Sequence, residues 1–385
     1  MNASSTPPLA GTRIIELAGI GPGPFAAMML ADMGAEVITV DRPGGNPWAV
    51  GGHGILFRSR RHVAVDLKSD GGADVVRRLC ADADGIIETF RPGVAERLGV
   101  GPEDCLERNP DLVYGRMTGW GQTGPMAQLP GHDINYIALT GALHQIGRKN
   151  EKPVPPLNLI GDFGGGGTFL AFGMLAGILS ARAGHGGRVV DAAMIDGASA
   201  LMAMFHSYRA EGDFIEERGA NLLDTGAFFY DVYETRDGKW VSIGAIENQF
   251  WAELCDVLNL PDAMRHDHLD SKRWNEYRVI LEKRVAEYDR AELNALFEGR
   301  NTCYATVLTM SEAVEHPHNR ARDTFVTIGD VVQPAPAPRF DGHPPTSPRP
   351  RRAPGADTTA VLGEAGYSSA EIESLLADGV VDSTP

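Results

Sequence analysis

The chain has 385 residues, more than one hydrophobic core usually covers, and this length predicts two domains. Its formal net charge of −16 at pH 7 argues against a nucleic acid or an anionic membrane surface as a partner. Four cysteines without a CxxC spacing indicate neither a disulfide framework nor a zinc site, and they fit free thiols in a reducing compartment.

The sequence shows no targeting or membrane signal. Residues 1–8 lack both the basic region and the apolar stretch of a signal peptide. The longest apolar run, residues 169–179, is too short to span a bilayer and contains two glycines. We therefore expect a cytoplasmic protein without a membrane partner.

The first elements form a β-α-β unit. Residues 13–17 predict a buried strand, residues 19–24 a glycine-rich turn into an Ala/Met-rich helix, and residues 37–40 a second strand. Such a turn suggests a dinucleotide site, but Pro24 occupies the third glycine position of the fingerprint and Pro22 stiffens the turn. The pattern favours a Rossmann-like fold without NAD.

A basic cluster follows in this acidic chain. It consists of Arg58, Arg60 and Arg61, with Lys68 after a strand at residues 63–67. Arginine forks and a lysine would suit the phosphates of an adenosine nucleotide. A solvated surface face explains the same charges, and the cluster alone leaves both interpretations open.

Strands and helices then alternate. Strands are predicted at residues 85–88, 112–116 and 187–191, and helices at 71–81, 168–181 and 193–204. This alternation is typical of a parallel sheet with helices on both faces, so we assign residues 1–208 to a large α/β domain.

The composition changes after Tyr208. Residues 209–225 are charged and predict a linker. A hairpin at 228–235 and 240–245, closed by an Asp-Gly turn, opens a smaller α+β domain at residues 226–330. Residues 334–354 are proline-rich and should run extended.

The stretch from Gly131 to Gly167 carries the residues best suited to chemistry. It contains His132 and, thirty positions later, Asp162 in front of four glycines and a helix. An imidazole, a carboxylate and glycine-rich backbone amides are the groups needed to remove a carbon-bound proton and hold an enolate. The same spacing is also explained if Asp162 only caps the helix and His132 is buried and hydrogen-bonded to the backbone.

No metal site is predicted. The pairs His266/His268 and His316/His318 are spaced i,i+2 without a supporting set of Asp or Cys residues, which is usual for loop histidines.

Several motifs together resemble one known family. They are GHDINY (131–136), PVPPLNLIGDFGGG (153–166), LAGIGPGPFAAMMLADMGAEVITVDRPG (17–44), VDLKS (65–69), RPGVAERLG (91–99), GRMTGWGQTGP (115–125), GRVVDAAMIDG (187–197) and IGAIENQF (243–250). From about Leu9 to Phe250 the chain resembles the α-methylacyl-CoA racemases, a branch of the family III CoA-transferase superfamily. The first two motifs are specific, whereas each of the others alone is weak.

The resemblance implies racemisation of 2-methylacyl-CoA thioesters at C2 through an enolate, with CoA as part of the substrate and no separate cofactor. His132 and Asp162 would act as bases on opposite faces, and Glu247, otherwise a helix-start carboxylate, would orient His132. The amides from Asp162 to Gly165 are our candidates for the enolate oxygen. The alternative is CoA transfer with Asp162 as the nucleophile, which would leave His132 and Glu247 without a role.

The resemblance also implies a CoA groove, a return segment at residues 331–385 that completes the large domain, and an interlocked homodimer of ring-like chains. The groove residues carried over to this sequence are Arg42, Val65, Asp66, Leu67, Lys68, Thr89, Phe90, Arg91, Arg97, Gly131, Asp133, Ile134, Asn135 and Tyr136. Branched fatty acyl, sterol side-chain and aryl-propionyl thioesters would all satisfy this chemistry.

Overall fold

The computed structural model describes residues 6–45 and 54–383. The chain divides into two compact units. The large unit comprises Met1–Thr140, Pro156–Met202 and Asp323–Pro385, and the small unit comprises Gly141–Pro155 and Ala203–Arg322.

The strands are β1 (Arg13–Leu17), β2 (Glu36–Asp41), β3 (Arg61–Val65), β4 (Gly85–Glu88), β5 (Val113–Thr118), β6 (Arg188–Ala193), β7 (Tyr230–Glu234), β8 (Trp240–Gly244), β9 (Tyr304–Thr306), β10 (Phe325–Ile328), β11 (Val331–Pro334) and β12 (Val381–Asp382). The α-helices are α1 (Pro22–Asp32), α2 (Gly72–Cys80), α3 (Val94–Arg97), α4 (Pro102–Arg108), α5 (Asp133–Leu139), α6 (Ala142–Gln145), α7 (Thr168–Ser180), α8 (Met194–Leu201), α9 (Ala203–Glu211), α10 (Asn248–Leu258), α11 (Asp262–Asp267), α12 (Trp274–Val285), α13 (Arg290–Phe297), α14 (Met310–Glu315), α15 (Pro317–Ala321), α16 (Thr358–Glu364) and α17 (Ser369–Ala377). Leu159–Gly167 and Ala181–His185 are π-helical, and Ile55–Phe57 and Ser271–Arg273 are short 3-10 helices.

Strands of the large unit form a mostly parallel sheet. Within the described residues its order is β12-β3-β2-β1-β4-β5-β6, and only β12 runs antiparallel to its neighbour. Without β12, this is the strand order of a Rossmann domain. The predicted α/β class with a Rossmann-like parallel sheet is confirmed.

Both faces of this sheet are covered, which explains why its strands are nearly continuous apolar runs. One face packs against α2, α4, α16 and α17, and the other packs against α1 and α7. Met174 of α7 lies against two strand glycines, because a Cβ on Gly115 would come within 2.5 Å of its Sδ and a Cβ on Gly85 within 2.5 Å of its Cε.

The helical run Leu159–His185 is longer than the sequence predicts. The apolar stretch 169–179 continues at both ends into π-helical turns, so the run reaches 27 residues, and its most apolar 18-residue window has a mean hydropathy of 1.4. By length and composition it could cross a membrane, but 44% of its most apolar window is buried. A core helix meets the same criterion, so this observation is weak evidence for a membrane span.

The small unit has its own core beneath an antiparallel sheet in the order β7-β8-β9. The predicted linker at residues 209–225 lies inside this compact unit. The unit also takes in Gly141–Pro155, which the sequence analysis assigned to the large domain. Arg218 stabilises this segment by donating hydrogen bonds to the backbone carbonyls of His144, Arg148 and Glu151.

Candidate active site

The main cavity of the large unit lies at the carboxyl ends of β1 and β4, where the order of the strands in the sheet reverses. It has a volume of about 1050 Å³ and is lined by the segments that follow β1, β4 and β5. In the strand order 3-2-1-4-5-6 the helices after β1 and β4 leave on opposite sides, which opens a crevice at the carboxyl ends of these strands. The fold therefore places a ligand site at this position.

The glycine-rich turn after β1 is shaped by Thr89 at the end of β4. A Cβ on Gly19 would lie 2.1 Å from the Thr89 Oγ1, and a Cβ on Gly23 would lie 2.3 Å from its Cγ2. The Thr89 side chain therefore occupies the space that a side chain at either glycine would need. This packing explains a glycine-rich turn that lacks the dinucleotide fingerprint.

Asp162 lies in the π-helical turn Leu159–Gly167 and lines the cavity. The glycines behind it allow close packing, since a Cβ on Gly165 would meet the Ala198 nitrogen at 2.5 Å and one on Gly167 would meet the Pro22 oxygen at 2.7 Å. Single π turns are frequent at functional sites.

The prediction that the Asp162 amide holds an enolate oxygen is wrong. This N–H donates to Oδ2 of Asp133 at 2.8 Å, so it is already occupied. Glycine-rich sequence is compatible with an anion-binding turn and with tight helix packing, and the contacts above show that packing requires these glycines.

The Asp162 carboxylate is half-buried. Burial is the main cause that raises its pKa above the ordinary value, and the charge of Asp133 raises it further. A hydrogen bond of 3.0 Å from Asn158 Nδ2 to Asp162 Oδ2 and the charge of His132 both lower this pKa. The sequence analysis missed Asn158, although its position four residues before Asp162, one turn away, was a usable signal.

His132 precedes the first residue of α5 and also lines the cavity. Its backbone N–H donates to Oδ1 of Asn135 at 3.1 Å, which fixes the start of the helix. Its side chain is exposed and has no hydrogen-bond partner among the described residues of the large unit. The structure thus brings the two predicted bases to one cavity but holds them differently.

Tyr136 supports the turn that carries His132. Its hydroxyl donates to the carbonyl of Gly131, and its ring meets Trp120 edge to face with centroids 4.7 Å apart. A Cβ on Gly119 would lie 2.1 Å from this ring. Tyr136 is buried, and this burial is the main cause that raises its pKa to about 12, so the phenol stays protonated near neutrality.

The predicted groove residues fall into two sets. Those that line the cavity with His132 and Asp162 are Thr89, Phe90, Arg91, Gly131, Asn135 and Tyr136. Those outside its lining are Arg42, Val65, Asp66, Leu67, Lys68, Arg97, Asp133 and Ile134.

Two members of the second set cannot offer their side chains. Val65 is 1% exposed and packs in the sheet core, and Asp133 is 5% exposed and bonds to the Asp162 amide. A motif in the sequence does not reveal in which direction these side chains point. Any contact with a ligand would come from their backbone.

For the three arginines of the basic cluster, the interpretation as a phosphate site is wrong. Arg58 pairs with Asp32 at 2.5 Å and Arg60 pairs with Glu16 at 2.5 Å, and both arginines are buried. Arg61 bridges Glu36 and Glu364 across the surface. Buried guanidinium groups require carboxylate partners, and these partners lie elsewhere in the sequence.

Arg60 instead supports the cavity wall. Beyond its pairing with Glu16, it donates to the carbonyls of Pro24 and Leu56, and both of these residues line the cavity. Glu16 also accepts a hydrogen bond from Thr39 at 2.6 Å. This buried network joins the start of α1 to the segment before β3.

Glu247 belongs to the small unit and precedes the first residue of α10. Its side chain is exposed and accepts no hydrogen bond from the described residues of that unit. The predicted pairing of Glu247 with His132 stays a prediction.

Comparison with known proteins gives one family. CoA-transferase family III matches residues 9–358. Alpha-methylacyl-CoA racemase of Mus musculus is 42% identical over 378 residues, which are 97% of this chain and 98% of the relative, and that of Homo sapiens is 40% identical over the same shares.

A solved structure shows the same fold. The crystal structure of a CAIB/BAIF family protein from Brucella suis superposes with a TM-score of 0.79 at 25% identity, covering 94% of this chain and 100% of that one. The match by sequence spans nearly the whole chain, and the predicted family is confirmed. The chain belongs to CoA-transferase family III.

Proposed function

We propose that this enzyme racemises 2-methylacyl-CoA thioesters by removing and returning the proton at C2. The observation that carries the proposal is the presence of His132 and Asp162 on one cavity at the carboxyl edge of the sheet. The two mammalian racemases support the reaction class because they align with nearly the whole chain.

Inversion at C2 requires one group to remove the proton from one face and another to return a proton to the opposite face. In the proposal His132 serves one face and Asp162 the other, and they exchange roles with the direction of reaction. The raised pKa of Asp162 suits a carboxyl that must also act as an acid. The enolate oxygen is not assigned to the Asp162 amide, because Asp133 holds that amide.

The CoA part of the substrate requires cationic and aromatic contacts. Arg91 and Phe90 line the cavity beside the proposed bases, and Lys68 and Arg97 are exposed in the same unit. We propose that these residues receive the phosphates and the adenine, since arginine forks and aromatic faces suit both groups.

Isotope exchange tests the reaction. Incubating a chiral 2-methylacyl-CoA in D2O without an acceptor acid should place deuterium at C2 and convert one C2 epimer into a mixture of both. CoA transfer to an added carboxylate without exchange at C2 would instead favour the alternative, a CoA-transferase. A panel of branched fatty acyl, sterol side-chain and aryl-propionyl thioesters would then define the acyl group.

We also propose that two copies associate through an apolar face of the large unit. Phe172 and Leu179 of α7 are each 70% exposed, and β6 beside them is an edge strand that exposes Val189. A soluble protein rarely leaves such a face uncovered, and a second copy would cover it symmetrically. The interlocked arrangement rests on the family resemblance alone.

Sedimentation measures this association. The parent should sediment as a dimer, and Phe172→Glu should sediment as a monomer or a weaker dimer. If the chains interlock, tagged and untagged dimers should exchange subunits only after unfolding. A monomeric parent would overturn the association, and rapid exchange would overturn the interlocking.

A further inference from the structure

We propose that Asp133 is a positioning residue that fixes the two bases relative to each other, and not a ligand-binding residue. This inference rests on the proposed racemase function. Asp133 is the first residue of α5, directly after His132, and its Oδ2 accepts the Asp162 N–H at 2.8 Å. One carboxylate therefore joins the helix that presents the imidazole to the turn that presents the other base.

The surroundings of Asp133 show that this contact is built into the fold. The side chain is 5% exposed and does not line the cavity. Its second oxygen, Oδ1, is buried without a hydrogen-bond partner in the described part of the chain. A buried carboxylate with one unsatisfied oxygen is unfavourable for stability, so a role in positioning accounts for its presence better than a role in folding.

Gly161 provides a second, independent observation. Its φ lies outside the left-handed region, so its backbone conformation does not require glycine. However, a Cβ at this position would come within 2.6 Å of the Asp133 Oδ2 and 2.9 Å of its Cγ. The absence of a side chain at residue 161 leaves the space in which the Asp133 carboxylate reaches the Asp162 amide.

Asp133 also acts on Asp162 through its charge. The charged or titratable groups that face Asp162 are His132, Asp133 and Tyr136, all from the start of α5. The start of α1 approaches Asp162 with Gly21, which carries no charge, and α8 carries Asp196, which is exposed. The negative charge of Asp133 raises the pKa of Asp162, so removing that charge should lower the pKa of Asp162.

Three variants separate geometry from charge, and each is measured by kcat/KM for both stereoisomers across pH. Asp133→Asn keeps an acceptor for the Asp162 amide but removes the negative charge. The acid limb of the pH profile of kcat/KM should therefore move to lower pH for both stereoisomers. Asp133→Ala removes the acceptor as well and should lower kcat about 100-fold with little change in KM. Gly161→Ala displaces the carboxylate without removing a titratable group and should lower kcat in the same way.

Asp191→Asn is the matched control. The Asp191 carboxylate also accepts a backbone N–H, that of Gln122 at 3.1 Å, but it does not line the cavity. This variant should keep the parent rate and pH profile. Circular dichroism and the binding of CoA would verify that each variant is folded.

The outcomes distinguish this inference from the function on which it rests. If the parent exchanges no C2 proton, the proposed function fails. If the parent racemises but Asp133→Asn leaves the acid limb in place, or if Asp133→Ala loses no more activity than Asp191→Asn, Asp133 is not a positioning residue.

Discussion

The two proposed bases share a cavity but have opposite surroundings. Asp162 lies in a helical turn, half-buried, with Asn158 on its carboxylate and Asp133 on its amide. His132 precedes a short helix, and its imidazole is exposed without a partner in the described large unit. Groups of the large unit therefore shift the pKa of Asp162, whereas the described part of that unit places no hydrogen-bond partner on the His132 imidazole.

The largest effect should come from removing either base. We expect His132→Ala and Asp162→Ala each to lower kcat by about 10²–10⁴, because a positioned acid–base group typically contributes this much. The double variant should be little worse than either single one, since the two act as a unit. The measurement is C2 exchange in D2O, with the exposed His206→Ala as the control. Substantial racemisation by one single variant would remove that residue from its role.

On the His132 side, Glu247→Gln tests the predicted pairing of Glu247 with His132. A carboxylate that accepts one N–H of an imidazole holds the other nitrogen in a fixed orientation, so its loss should lower kcat about tenfold with little change in KM. The measurement is C2 exchange in D2O, with Glu253→Gln on the same helix as the control. A Glu247→Gln variant that keeps the parent kcat would contradict the pairing.

On the Asp162 side, Asn158→Ala should act in the opposite direction to Asp133→Asn. The hydrogen bond from Asn158 lowers the pKa of Asp162, so its loss should raise that pKa and move the acid limb to higher pH. The rate near pH 7 should fall a few-fold. Asn319→Ala, which removes an amide that donates to the Ala313 carbonyl, is the control. If the acid limb moved in the same direction in Asn158→Ala and Asp133→Asn, this description of the site would be contradicted.

The smallest effect on catalysis should come from Glu88, which lies behind the cavity wall. Its carboxylate accepts the Phe90 N–H at 2.6 Å and pairs with Arg116 at 2.8 Å, and burial raises its pKa to about 7. Between about pH 4.5 and 7 the folded state therefore holds a proton that the unfolded state has lost. This contribution to stability is fully present below pH 4.5 and is lost as the pH rises through 7.

Urea unfolding of Glu88→Gln at several pH values measures this linkage. The difference in unfolding free energy between parent and variant should change by about 3 kcal/mol between pH 4.5 and pH 8, in favour of the parent at low pH. The exposed Glu103→Gln should show no such trend. A difference that does not depend on pH would contradict a raised pKa for Glu88.

The arginines show where sequence patterns fail. Arg58, Arg60 and Arg61 form a dense positive cluster in the sequence, yet carboxylates distant in the chain neutralise them. Arg91, which stands alone in the sequence, is the exposed arginine on the cavity. Charge density in a sequence does not reveal burial, because the partner of a buried charge comes from another element.

The sequence by itself determined the family, the order of strands and helices, and the two residues on which the proposed chemistry depends, because local periodicity and specific motifs carry that information. The tertiary structure decided which side chains reach the cavity. The glycines serve packing, Asp133 lies outside the cavity lining, Asn158 bonds to Asp162, and Gly141–Pro155 belongs to the small unit. These outcomes depend on contacts between elements, which no stretch of sequence contains.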